Sequence, residues 1–296
     1  MDKVCAGIVL YEPDYDRLLE NISSVSKQTE HIYLVDNGSS NIETIRFSLS
    51  NKDNITLIEN SNNFGIAKAL NQLCLAAKED GYNWILTLDQ DSVASDNMME
   101  EMLPYLSIAD TAIVAPFVDD DFENQVIRNS GEREIEDITR CNTSGCVTNL
   151  LIWEELGGFD ERMFIDCVDF DYCTRALKYG YRVIRVNKAV LHHRLGKAKE
   201  VRFFMPFGKL FGIEKLRRPF YTYNHSPLRT YYYARNILYY MHKHKDFIDM
   251  KQERRTYFRW FVLKVFFESQ RFKKLCAIIK GTAHSKKLIK EYKKSL

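Results

Sequence analysis

The sequence predicts an α/β fold, a sheet of βαβ units in the first two thirds of the chain followed by a helical C-terminal region. Three observations carry the prediction. Short apolar runs alternate with stretches of helical period through the first 115 or so residues. Carboxylates stand at the tips of those runs, and the texture of the chain changes near residue 200. Buried strands alternating with helices form parallel βαβ units with right-handed crossovers. Ligands of such sheets sit beyond the carboxyl ends of the strands.

The elements follow in order. "VCAGIVLY" (4–11) is a continuous apolar run and reads as the first strand; "DYDRLLENISSVSKQ" (14–28) then reads helical. "HIYLVD" (31–36) is a second strand, "NIETIRFSLS" (41–50) a short helix and "NITLIEN" (54–60) a third strand. "GIAKALNQLCLAAKEDG" (65–81) is a strong helix ended by a glycine. "NWILTLD" (83–89) is the fourth strand and "TAIVAP" (111–116) the fifth. The acidic stretch 117–140 reads as a loop or hairpin. Residues 148–156 and 168–179 read as helices, and "YRVIRV" (181–186) as a strand. Beyond residue 200, "LRTYYYARNILYYMHKHK" and "RRTYFRWFVLKVFFES" read as helices with basic and aromatic faces.

Charge is distributed unevenly. Residues 201–296 carry 23 Lys+Arg against 6 Asp+Glu, whereas residues 1–200 carry 19 against 34. A C-terminal net charge of +17 calls for an anionic partner, a membrane surface or a nucleic acid. A front half at −15 would repel nucleic-acid phosphates, and no recognition motif appears, so a nucleic-acid-binding protein is the weaker alternative. No apolar run reaches the roughly 18 residues of a spanning helix, and the apolar start lacks a cleavage site. The seven cysteines include no CxxC pair and read as free thiols rather than a zinc site.

The chemistry lies in carboxylates. The sheet has neither GxGxxG nor GxxxxGK. "TLDQDS" instead delivers Asp89 and Asp91 to the tip of the fourth strand. Two such like charges repel, and a divalent cation holding a substrate diphosphate offsets that cost. The plainer reading of Asp91 or Ser92 is an N-cap for a helix beginning near Ser95. A second acidic cluster holds Asp166, Asp169 and Asp171. Helical spacing puts Asp166 and Asp169 on one side, and Asp171 stands four residues before Arg175, as in a surface ion pair. "VLHHRLGK" adds a pair of histidines.

The order of these motifs resembles glycosyltransferase family 2, and within it the bacterial rhamnosyltransferases. The likeness runs over about residues 4–240, in "IVLYEPD", "VDNGS", "NNFGIAKALNQ", "TLDQDS", "TSGCVTN", "GGFDERMFIDCVDFDYCTRALKYGY", "HRLG" and "SPLRTYYYARN". It implies a GT-A fold, a Rossmann-like mixed sheet flanked by helices, with a catalytic domain over 1–200 (nucleotide-sugar half 1–116, acceptor half 117–200). The resemblance places Val9, Tyr11 and Asp36 at the nucleotide base and Asn63, Gly65 and Lys68 by the nucleotide. Asp91 and His193 fall at Mn²⁺ or Mg²⁺ positions, Asp89 at the ribose or the metal shell, and Asp169 at the position of the inverting base, with Val168 where the family often has an acid and Asp166 as the other choice. The implied reaction moves L-rhamnose from dTDP-β-L-rhamnose to a lipid-linked or growing glycan. UDP-galactofuranose or UDP-galactose is an alternative donor. The implied location is the inner face of the bacterial plasma membrane. There Trp260, Phe261, Phe266 and Phe267 are expected at the headgroup boundary, with Arg254, Arg255, Lys264 and Arg271 at the lipid phosphates.

Overall fold

A computed structural model of the chain describes residues 3–50, 52–120, 133–193, 199–203 and 205–294; residues 120, 193, 207, 208, 215 and 216 are described by backbone alone. The chain divides into two compact units, Met1–Arg194 and Leu195–Leu296.

The first unit runs β1 (Val4–Leu10), α1 (Tyr15–Val25), β2 (Ile32–Asp36), α2 (Ile42–Leu49), β3 (Ile55–Glu59), α3 (Ile66–Glu79), β4 (Trp84–Asp89), β5 (Ser92–Ala94), α4 (Met98–Met102), β6 (Thr111–Asp120), β7 (Ile135–Asp137), β8 (Cys146–Asn149), α5 (Leu150–Glu155), α6 (Val168–Lys178) and β9 (Arg182–His193). Among the described residues the strands form one mixed sheet in the order β3-β2-β1-β4-β8-β6-β9-β5, with β7 also on β9. The first four strands are parallel, as the alternating periods require. β8 then runs antiparallel between β4 and β6.

All seven residues of β1 are buried, which is why its run is apolar on both faces. α3 buries Ala67, Leu70, Leu73, Cys74 and Ala77, an i, i+3, i+7 stripe that lies on β1. Gly7 permits the approach, since a Cβ there would stand 2.9 Å from Ile85 Cδ1 and 3.1 Å from Leu73 Cδ1. Each large aliphatic side chain so buried contributes roughly 1.5–3 kcal/mol.

The structure corrects several boundaries. The stretch expected as a helix over 148–156 begins inside β8, and α5 starts only after Asn149, whose Oδ1 accepts from Leu151 N and Ile152 N. A four-residue strand followed directly by a helix gives no period of its own. The helix expected near Ser95 is preceded by β5, so Ser92 is a strand residue and neither it nor Asp91 caps α4, which follows Asn97. β9 runs on to His193, well past the expected end at 186, and β7 pairs with it antiparallel. Residues 121–132 of the expected loop lie outside the described residues.

The second unit comprises β10 (Lys199–Val201), α7 (Met205–Leu210), α8 (Glu214–Arg217), β11 (Phe220–Thr222), α9 (Pro227–Lys243), α10 (Met250–Val262), a π-helical turn (Leu263–Phe267) and α11 (Arg271–Lys294). α9 and α11 cross closely at Gly281, where a Cβ would stand 3.1 Å from that of Ala234. Of the residues expected at a membrane, Arg254, Arg255, Phe266 and Arg271 are exposed, Trp260, Phe261 and Phe267 are partly buried, and Lys264 is buried. Trp260 packs on Tyr233 and Tyr257, Phe267 packs on Phe203 and Phe220, and Phe261 is half-buried, leaving Phe266 exposed. Lys264 is buried because it belongs to an internal triad. Glu268 accepts from Lys264 Nζ at 2.6 Å and from Lys274 Nζ at 2.6 Å, all three side chains being buried. No helix among the described residues is long and apolar enough to cross a membrane. Removing one partner of a buried ion pair costs about 3–5 kcal/mol. Glu268→Leu should therefore lower the urea midpoint sharply, whereas Glu291→Leu, at an exposed pair with Lys287, should leave it nearly unchanged.

Candidate active site

The turn after β4 is held by its backbone. Asp89 N donates to Ser144 Oγ at 3.0 Å. Asn21 Nδ2 donates to Asp89 O at 2.8 Å and to Ser92 O at 2.5 Å, and Arg17 Nε donates to Asp91 O at 2.9 Å. The Gln90 amide clasps the main chain of Tyr11 in both directions, at 2.8 and 3.1 Å. These contacts fix the chain at four consecutive residues, Asp89 to Ser92. Asp91 is exposed and Asp89 half-buried. β5 pairs antiparallel with β9 and sets His193 opposite Ser92, one residue past Asp91. The His193 side chain lies outside the described residues. Its neighbour His192 is 3.8 Å from the Asp119 carboxylate and largely exposed.

Parallel register places Val9 between Val35 and Asp89. Tyr11 follows β1 and is half-exposed. Asp36 ends β2. It is 1% exposed, and Gly38 N, Ser39 N and Ser39 Oγ take three of its roughly four acceptor positions. Glu12 binds Ser40 N and Oγ at 2.9 and 2.8 Å, tying the loop after β1 to the loop after β2. Those hydrogen bonds hold the Glu12 carboxyl below the usual range.

Asn63 Oδ1 accepts from Gly65 N at 2.9 Å, and Gly65 begins α3 at φ +90°. The start of α3 faces the acidic segment of the second half: Ile66 N donates to Phe164 O at 2.8 Å, and a Cβ on Gly65 would meet the Phe164 main chain. Lys68 pairs with Glu161 at 3.4 Å, both half-exposed. Asn71, on α3, donates to Phe159 O at 2.9 Å and accepts from Phe159 N at 2.7 Å and Trp153 Nε1 at 3.2 Å.

Asp166 and Cys167 both have φ +65°, so they precede α6 and do not belong to it. Helical spacing therefore does not relate Asp166 to Asp169. Asp169 stands in the first turn of α6. Asp171 is not at the surface: it is fully buried, accepting from Arg175 Nε at 2.8 Å, while the same guanidinium donates to Leu156 O and Gly158 O at 2.7 Å each. The pair fastens the turn ahead of the acidic segment to α6.

Asp169, Asp166 and Asp89 come within electrostatic reach of one another. Enclosure of the Asp169 carboxyl lifts its pKa to about 7, and the charges of Asp166 and Asp89 add to that lift, against a hydrogen bond from Phe170 N. Part of the residue's surface stays open. Crowded carboxylates suit a hard divalent cation. Mg²⁺ and Mn²⁺ are held by one or two carboxylates with substrate phosphates rather than by a complete protein cage. Among the described residues no three acidic, His or Cys side chains form such a cage.

A cleft of about 270 Å³ opens between β6, β8 and β9, lined by Phe117, Ile138, Arg140, Cys141, Ser144 and Arg185 among others. Ser144 also holds Asp89, and Arg140 lies 4.7 Å over the ring of Phe170, next to Asp169. A larger cleft of about 620 Å³, by Val4, Glu30 and Pro104, opens at the opposite strand ends, where α/β sheets do not place their ligands.

The sequence pattern described as glycosyl transferase family 2 matches residues 6–179, more than half of the chain. The chain is a family 2 glycosyltransferase. The transferase is 30% identical over 247 residues to dTDP-rhamnosyl transferase RfbF of Shigella flexneri, covering 79% of this chain and 78% of that protein. Its fold is shared with TarS 1–349 of S. aureus in complex with UDP-GlcNAc (TM-score 0.61, 14% identity, 96% of this chain and 80% of the other). It is also shared with the mannosyltransferase PcManGT of Pyrobaculum calidifontis in complex with GDP-Man and Mn²⁺ (TM-score 0.58, 14% identity, 95% and 73%). The mixed sheet is thus that of the GT-A glycosyltransferases.

Sequence reasoning missed Asn21, Arg17, Gln90, Ser144 and Asn71, which position the transferase's acidic turns through main-chain atoms. Gln90, Ser144 and Asn71 sat within quoted motifs, but none was named as a candidate.

The raised pKa of Asp169 has a stability consequence. Its ionised form is disfavoured in the fold, so the contribution is intact below about pH 4 and is lost as pH rises through about 7. Asp169→Asn removes that loss. In metal-free buffer its Tm should exceed that of the parent at pH 8 and match it near pH 4; equal melting curves at both pH values would contradict the burial of charge.

Proposed function

We propose that the transferase moves L-rhamnose from dTDP-β-L-rhamnose to a hydroxyl of a lipid-linked or growing polysaccharide, with inversion at the anomeric carbon. The observation that carries the chemistry is Asp169, a carboxyl poised near pH 7 beside Asp89 at the carboxyl end of the sheet. A base works best with a pKa close to the working pH. The sugar and nucleotide rest on the relative named as a dTDP-rhamnosyl transferase.

In this reading the thymine lies over the tips of β1 and β2, against Val9 and Tyr11, where Asp36 has one acceptor position left for its N3–H. Asn63, Gly65 and Lys68 border the nucleotide. The acceptor enters through the cleft beside Ser144 and Arg140. Asp169 removes the proton from its hydroxyl as that oxygen attacks the anomeric carbon. The bond to the nucleoside diphosphate breaks, and one displacement converts the β-L-rhamnoside into an α-linked product. A divalent cation bound by Asp91, Asp89 and His193 would supply neutralisation of the charge growing on the diphosphate. The enzyme acts on the cytoplasmic face of a bacterial membrane, in the synthesis of a cell-surface glycan.

Two experiments test the assignment. Asp91→Ala should abolish transfer from dTDP-rhamnose while leaving the melting temperature nearly unchanged, since the side chain is exposed; full activity after EDTA treatment would remove the metal from the scheme. Asp169→Asn should lower kcat at least about a hundredfold with little change in donor affinity. In Asp166→Asn the neighbour that raises Asp169 is neutral, so the acidic limb of kcat/KM should move to lower pH. Loss of activity in Asp166→Asn with retention in Asp169→Asn would make Asp166 the base.

A further inference from the structure

β10 and β11 form the stem of an excursion. Val201 pairs with Phe220 and Lys199 with Thr222, so residues 202–219 leave the two-stranded sheet and return to the same place. Aromatic rings meet at the root: the Phe267 ring lies 5.7 Å from that of Phe203, itself 59% exposed, and 5.2 Å from that of Phe220. Further out, apolar side chains stop packing. Leu210 and Phe211 are 77% and 67% exposed and Ile213 46%, with Gly212 turning the chain between them at φ +69°. Three large apolar side chains within four consecutive residues are not left in water on an ordinary soluble surface. Exposed Lys209, Arg217 and Arg218 flank them. The exposed aromatics of α10 and the following turn, Phe258 and Phe266, are instead scattered singly, which is normal for a surface.

We propose that the tip Leu210–Ile213 inserts at the headgroup boundary of an anionic bilayer, with Lys209, Arg217 and Arg218 at the lipid phosphates. The excursion between β10 and β11, rather than the aromatic stripe of α10, is then the membrane-docking element. This deepens, and rests on, the reading of a membrane-borne acceptor. Charge decides between occupants. An anionic lipid surface complements a C-terminal region of net +17, whereas a second copy of the same basic surface would repel it.

The test is flotation of the full chain with vesicles of phosphatidylcholine containing phosphatidylglycerol, beside vesicles of phosphatidylcholine alone. The parent should float with the anionic vesicles and come off as salt rises. Leu210→Asp/Phe211→Asp should lower the vesicle partition coefficient about tenfold or more, Leu210→Ala/Phe211→Ala less, and Phe258→Asp on α10 within about twofold. Vesicle-free donor hydrolysis and the melting curve should be unchanged in all three variants. Equal flotation of the aspartate variant and the parent overturns the proposal, as does an equal loss in Phe258→Asp. So does a parent dimer that the aspartate variant dissociates without any change in flotation. Absence of donor hydrolysis in the parent would refute the transferase reading of the site, while flotation still judges the docking tip.

Discussion

Asp89, Asp166 and Asp169 repel one another, and the first unit is built to hold them together despite that. The repulsion shows in Asp169, whose carboxyl is lifted to about 7 by enclosure and by its two acidic neighbours. Left to themselves, flexible loops would move apart to relieve it. Here each acidic segment is fastened through its main chain. The first is gripped by Asn21, Arg17, Gln90 and Ser144. The second is joined to the start of α3 by the bond from Ile66 N to Phe164 O and by the contacts of Asn71. Arg175 then locks the preceding turn to α6. None of these grips uses an acidic side chain of the site, except Asp171, which is buried to hold Arg175.

This division of labour explains the apparent surplus of acid. Asp171 is structural and Asp36 folds its own loop, so their charges are already spoken for by donors. Asp89 and Asp169 carry the electrostatic strain that a cation and a diphosphate would relieve. In the proposed scheme a donor complex would draw part of its binding energy from relieving that repulsion, the arrangement expected of a preorganised site.

β1, β2 and β4 were legible because they are buried on both faces and read as apolar runs, and the edge strand β3 because its Ile and Leu alternate with Thr and Glu. Asp89 and Asp91 were legible because the run of β4 stops at them. β5 and β8 were not, being three or four residues long, too short to show a period. The spacing from Asp171 to Arg175 gave the pair correctly but not its burial, which depends on carbonyls at Leu156 and Gly158, far along the chain. The helical relation drawn between Asp166 and Asp169 failed because Asp166 and Cys167 both take positive φ just ahead of α6, which no pattern announced. Aromatic spacing on α10 pointed to a membrane face; there Trp260 packs on Tyr233 and Tyr257 and is partly covered, while Phe258 and Phe266 stay exposed.

Enclosure of its carboxyl, reinforced by the charges of Asp166 and Asp89, sets the charge state of Asp169. This is tested most directly by titrating the aspartate side-chain carboxyls by ¹³C NMR, in parent and Asp169→Asn protein, first metal-free and then with Mg²⁺ and dTDP. The account predicts one resonance with a pKa near 7 in the metal-free parent, absent from the variant and displaced to lower pH when Mg²⁺ and nucleotide bind. A spectrum in which every aspartate of the metal-free parent titrates within the ordinary carboxylate range, around 4, would contradict it.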